Sequence, residues 1–110
     1  SPPCPVRRLL AWVNPPYSRD VIRSWVKACA QNWTNDLHVI GIVPLRPSSA
    51  WFREFCVPGQ ASSCVCLLNR RVRFVGAGSG VPWETCLVYW GNEPTRFQHA
   101  YRGLGVFWNR

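Results

Sequence analysis

The hydrophobic positions change period twice along the first half of the chain. Val6 to Val13 reads as the first strand, and its apolar residues stop abruptly at Asn14, Pro15, Pro16 and Tyr17. A buried strand therefore delivers a rigid loop. From Ser18 the spacing becomes helical, with Val21, Ile22, Trp25, Val26, Cys29 and Ala30 on one face. Ser18 or Asp20 caps that helix, which ends near Asn32. Leu37 to Leu45 is a near-continuous β-branched run, the mark of a strand covered on both faces in a parallel sheet, and Pro44 and Pro47 end it. Strand, helix and strand in this order imply a right-handed crossover. A short helix follows from Ser48 or Ser49 to Phe55, with Ser as its cap.

At Gly59 the pattern changes character. Cys64 to Leu68, Val72 to Val75 and Thr85 to Trp90 are short strand candidates with no helix between them, which implies antiparallel pairing at one sheet edge. In the last stretch, Thr95 to Trp108, residues Phe97, Ala100 and Tyr101 are spaced for a turn or two of helix. Val106, Phe107 and Trp108 then add a final strand. Ser1 to Pro5 is Pro-rich and reads as though a preceding segment or domain had been cut away or never existed. No repeat or low-complexity linker divides residues 1–110, so they are expected to form a single domain of the α/β class.

The loop after the first strand carries the candidate chemistry. Its prolines hold φ near about −65° and Asn14, preceding Pro15, is pushed to an extended conformation. The Asn14 amide offers a donor and an acceptor, neighbouring carbonyls add acceptors, and Tyr17 supplies a flat face. Together they suit a planar group that bears an amino nitrogen.

Asn14-Pro15-Pro16-Tyr17 resembles the Asn/Asp-Pro-Pro-Tyr motif of S-adenosylmethionine (SAM)-dependent amino-methyltransferases. The resemblance extends to phage-type DNA N6-adenine methyltransferases. Trp12 to Ser18, Val39 to Arg46, Trp51-Phe52, Asn69 to Phe74 and Cys86 to Gly91 recur in the same order as in that family. The similarity covers the family's C-terminal half only. It implies a partial Rossmann-like SAM-methyltransferase sheet, strand-helix-strand plus antiparallel edge strands, forming the substrate-binding half of the fold. It also implies that Asn14, Pro15, Pro16 and Tyr17 are the catalytic residues, the Asn side chain and a Pro carbonyl gripping the target amine while the Tyr stacks on an extruded base. Ser18, Trp51, Arg70 and Arg71 are the expected substrate-binding residues. The motif is shared with methyltransferases of RNA bases and of protein glutamine, and the downstream matches favour DNA.

Composition narrows the partners. With 13 Lys and Arg against 5 Asp and Glu, the net charge of +8 attracts polyanions, so nucleic acid, DNA first, is the expected partner. Each candidate also has a plainer reading. The Asn-Pro-Pro-Tyr segment fits an ordinary strand-ending turn, Trp51-Phe52 fits either a lid over a base or core packing, and Arg46, Arg53, Arg70, Arg71 and Arg73 fit either phosphate contacts or solvated surface. His38 and His99 receive no role. The six cysteines sit mainly in apolar helix and strand runs, where reduced core thiols are expected; none has zinc-ligand spacing, and no metal is expected. No signal peptide or membrane-length apolar run is present, so the expected setting is cytoplasmic or nucleoid-associated, with no membrane partner.

One departure from the family matters. The SAM-binding half precedes the Asn-Pro-Pro-Tyr loop in phage-type enzymes, whereas this chain begins at that loop. Gly76-Ala77-Gly78-Ser79-Gly80 is a poor substitute, because Pro82 follows at once and the next segment reads as strand, not helix. Two functions follow: an adenine-N6 methyltransferase incomplete in this chain, with SAM as cofactor if catalytic, or a non-catalytic nucleic-acid-binding or assembly domain on the same half-fold. Under either, uncovered apolar sheet surface calls for a homodimer, or for a second subunit or segment supplying the cofactor half.

Overall fold

The computed structural model describes residues 9–68 and 85–110, leaving aside the Arg19 side chain. Its elements run β1 (Leu9–Val13), α1 (Arg19–Asn32), β2 (Leu37–Pro44), α2 (Ala50–Phe55), β3 (Cys64–Leu68), β4 (Thr85–Trp90), α3 (Pro94–Ala100) and β5 (Gly105–Asn109). The class is α/β, and the strands form one mixed sheet in the order β1-β2-β4-β3-β5. The Val72 to Val75 strand candidate lies outside the described residues.

Burial explains the order. All six residues of β4 are buried, and six of the eight in β2, so neither strand has a polar face to turn to water. Both must lie inside the sheet with cover on each side. β2 takes β1 as its parallel neighbour, with α1 crossing between them, and pairs antiparallel with β4 from Val39↔Trp90 to Pro44↔Thr85. β4, β3 and β5 then pair antiparallel in turn. Antiparallel pairing therefore does not stay at one edge, as the short strands suggested, but reaches the sheet's centre. The reason is that Thr85 to Trp90 is too apolar to serve as an edge.

The register sorts side chains onto two faces. On one, Val39, Val43, Val65, Cys86, Val88 and Trp90 meet Ile22, Val26 and Cys29 of α1 and Trp51 and Phe52 of α2. On the other, Ile40, Cys64, Cys66, Leu87 and Tyr89 meet Phe97 of α3. Trp90 ties the first face together. Its indole lies over Gly41, where a Cβ would come within 3.0 Å of the ring, and its Nε1 donates 2.8 Å to the carbonyl of Phe55 at the end of α2. Phe52 stacks on Trp108 at 6.1 Å and 10°, joining α2 to β5.

Ser18 and Ser49 stand at the two N-caps, as their positions suggested, but neither side chain makes a capping bond. Their carbonyls instead accept the first helical N–H groups, from Ile22 and Arg53. The apolar stripe of α1 is wider than the surface it covers, since Val21 and Trp25 remain exposed. β1 is an edge strand in which Leu9, Leu10 and Trp12 are each at least 50% exposed. The five described cysteines are buried free thiols, and burial pushes Cys29 and Cys64 up to about 11. No described helix is long and apolar enough to cross a membrane.

Trp90→Phe keeps most of the ring volume but leaves the Phe55 carbonyl without its indole donor. The expected cost is about 1–3 kcal/mol, read as a lowered midpoint in urea with an unchanged slope; a variant as stable as wild type would show that the bond contributes nothing.

Candidate functional site

Because β1 and β2 are parallel, the loops that leave them emerge at the same end of the sheet. Residues Asn14 to Ser18 lead from β1 into α1, and Leu45 to Ser49 lead from β2 into α2. In open α/β sheets this carboxyl end is where ligands bind. A cavity of about 540 Å³ opens there, within the roughly 300–1,000 Å³ usual for small-molecule sites. One wall comes from Tyr17, Asp20, Ile22 and Arg23, and the other from Pro44, Arg46, Ser48, Ser49, Ala50 and Trp51.

Of the residues expected at a site, the fold brings Tyr17 and Trp51 together, with Arg46 beside them. Both aromatics are anchored from behind. Tyr17 is half-buried against the core and its hydroxyl donates 3.3 Å to the Ile42 carbonyl, while Trp51 is buried and meets Phe52 edge-to-face. Each is thus at once core and cavity wall. Pro15 is buried, whereas Asn14, Pro16 and Ser18 are exposed and stand outside the cavity lining. Arg53 is exposed on α2 and does not line it. Arg70 and Arg71, with Arg73 and the Gly76 to Gly80 loop, lie outside the described residues.

Arg23 and Asp20 were not singled out for binding by the sequence, although both lie in the first turns of the helix that follows the loop. The Arg23 guanidinium bridges to Glu54 at 3.2 Å and lies 5.5 Å from the centre of the Phe55 ring. With both partners about half exposed, the ion pair is worth little in stability. It holds the Arg23 guanidinium at the cavity rim with its charge offset by Glu54.

A SAM cradle needs bare backbone at a Gly-rich turn that opens a helix. The turns into α1 and α2 are Asn-Pro-Pro-Tyr-Ser and Leu-Arg-Pro-Ser-Ser, whose prolines and side chains prevent that approach. The described residues therefore do not fit the cofactor. Nor do they gather three or more His, Cys, Asp or Glu side chains in a metal-binding group.

A second cavity, of about 590 Å³, lies on the other sheet face between the first residues of β1 and β2 and the helix α3. His38 lines it, buried, with its Nδ1 2.9 Å from the hydroxyl of Tyr89. The sequence hints at this only by parity: His38 shares a face with Ile40 and Ile42, but the strand register that brings Tyr89 to it is not written locally.

No family model, curated protein or solved structure matches this chain.

Burial raises the Tyr17 hydroxyl from its ordinary 10.0 to about 12, with the neighbouring Cys86 thiol adding to the rise. Because the folded value is the higher one, the neutral hydroxyl's contribution to stability is complete below pH 10 and is lost as pH rises through about 12. Removing that titrating hydroxyl by Tyr17→Phe should flatten the fall in melting temperature over this range. An identical alkaline profile in wild type and variant would contradict the assignment.

Proposed function

We propose that this chain is the base-binding half of a SAM-dependent DNA adenine-N6 methyltransferase, with a Rossmann-like sheet that another segment or subunit completes. The observation that carries the reading is the position of Asn14-Pro15-Pro16-Tyr17 at the carboxyl end of a parallel strand, bordering a cavity walled by Tyr17 and Trp51. An extruded base entering there meets the Tyr17 ring, with Arg46 beside it. The net charge of +8 draws the polyanion in.

The chain's own chemical contribution is to hold and orient the amine. By the resemblance, the exposed Asn14 carboxamide oxygen and a proline carbonyl of the loop are acceptors for the two N6 hydrogens, and accepting them increases electron density on that nitrogen. SAM, when bound in the complete enzyme, supplies the electrophilic methyl group. Leu9, Leu10 and Trp12, exposed along the β1 edge, form the apolar surface that a second copy or a cofactor-bearing unit covers. The absence of a cofactor cradle among the described residues favours a second reading, a non-catalytic nucleic-acid-binding or assembly domain that retains only the base pocket. Either function belongs where DNA is, in the cytoplasm or on the nucleoid.

Asn14→Ala tests the pocket common to both readings. The residue is exposed, so its melting temperature should stay within measurement error of wild type. Binding to a fluorescent oligonucleotide with one unpaired adenine should weaken about three- to tenfold, as expected for one lost hydrogen bond, with binding to an abasic control unchanged. Wild type that fails to prefer adenine over the abasic site would sink the proposal.

A further inference from the structure

Base binding makes no use of the outer flank of the molecule, where β1 ends the sheet. Among the described residues no strand pairs with the free edge of β1. Ala11 and Val13 pack toward α1, whereas Leu10 borders the open region beside α3 and Trp12 meets Tyr101 edge-to-face at 5.8 Å. Leu9, Leu10 and Trp12 are nonetheless 64%, 51% and 50% exposed. An apolar edge of this kind is a template for pairing with a further strand.

The helix above that edge has a matching strip. Ile22, Val26 and Cys29 of α1 face the sheet, and Arg23 faces α2, where it meets Glu54 and Phe55. α2 lies over β4 and β5, its Phe55 carbonyl bonded to Trp90 and its Phe52 ring stacked on Trp108. The side of α1 turned away from α2 is therefore the β1 side. At about 3.6 residues per turn, that side carries Val21, Trp25, Ala28 and Asn32. All four are uncharged and exposed, Val21 by 38% and Trp25 by 45%, and the spacing puts Asp20, Arg23 and Lys27 on other sides of the helix.

We propose that this flank binds a second copy of the chain, β1 pairing antiparallel with its counterpart and α1 packing beside the other α1. Symmetry favours a copy over a different partner. A two-fold axis perpendicular to the sheet lets an edge strand pair with itself and keeps both α1 helices on one face, so strand edge meets strand edge and helix strip meets helix strip. With strands about 4.8 Å apart, a helix that packs on both β1 and β2 comes within about 10 Å of its counterpart, the spacing of packed helices. The exposed parts of Leu9, Leu10, Trp12, Val21 and Trp25 come to roughly 500 Å² per copy, so two copies cover about 1,000 Å², the least expected of a specific interface. Charge points the same way. A chain of +8 repels its copy and draws acidic partners to its basic surface, whereas residues 9–13 and the four helix positions carry no charge at all. In the dimer the two sheets run on as one, and the two Asn-Pro-Pro-Tyr loops emerge at opposite ends of it. The dimer rests on the strand edge and the helix strip, not on base binding.

Sedimentation velocity of the full chain over a range of concentrations reads the association directly. Wild type should pass from monomer to dimer as concentration rises, and more readily in higher salt, because screening weakens the repulsion between two positively charged chains. Trp12→Lys on the strand and Trp25→Lys on the helix should each weaken the dimer at least about tenfold, the loss expected for a central aromatic. Val106→Lys adds the same charge at a residue 64% exposed on β5, the other edge of the sheet, and should leave the dimer unchanged. Hydrogen exchange in wild type needs no substitution: the β1 amides should exchange more slowly at high protein concentration than at low. A chain that stays monomeric throughout, as it would if another segment of the chain or a different protein covers the flank, overturns the proposal. So does a dimer that survives either tryptophan substitution, or β1 exchange that ignores concentration. Preference for an unpaired adenine is measured separately, so a monomeric chain leaves base binding standing and loss of that preference leaves the dimer standing.

Discussion

The ladder between β2 and β4 is the constraint from which the rest of the architecture follows. Six residue pairs join two strands that are apolar on both faces, so each face of that ladder must be roofed by something else. α1 and α2 roof one face and α3 the other. Once this pair is central, β1 has its place on the free side of β2, and the antiparallel β4-β3-β5 block fills the opposite side. Both candidate binding regions are consequences of that division. One forms where parallel strands release two loops at a shared end, and the other where α3 leaves part of its sheet face open.

The elements themselves were largely legible. The β-branched density of residues 37–45 and the helical spacing from Val21 to Ala30 locate β2 and α1, and Cys64–Leu68 and Thr85–Trp90 coincide with β3 and β4. What local pattern does not contain is pairing. Nothing in Thr85 to Trp90 says that it inserts between β2 and β3, because that depends on burial summed over the whole sheet. For the same reason Tyr89 and His38, far apart in sequence, could not be matched beforehand, and neither could Trp90 and the Phe55 carbonyl. Trp51 illustrates the other limit: composition makes it core or binding surface, and its position on the first turn of α2 makes it both.

The two ends of the Asn-Pro-Pro-Tyr segment behave differently. Tyr17 turns inward, its ring against the core and its hydroxyl on Ile42, which makes it a fixed wall with a load in stability as well as recognition. Asn14 stays outside, where changing it disturbs no packing. In the proposed base-binding reading, the fixed aromatic wall and the solvent-facing amide meet the two needs of a base that arrives from outside and is held by its amine. Among the described residues no strand pairs with the outer edge of β1, and an apolar strand with no charge or proline within it lacks the usual protection of an edge.

The most direct test of this account is to map where DNA touches the folded chain. Amide shifts recorded as a short oligonucleotide with one unpaired adenine is added should change most at Asn14 to Arg23 and Leu45 to Trp51, the two segments that meet at the carboxyl ends of β1 and β2. Changes centred instead on α3, or spread evenly over the basic surface with no difference between adenine and an abasic site, would contradict it.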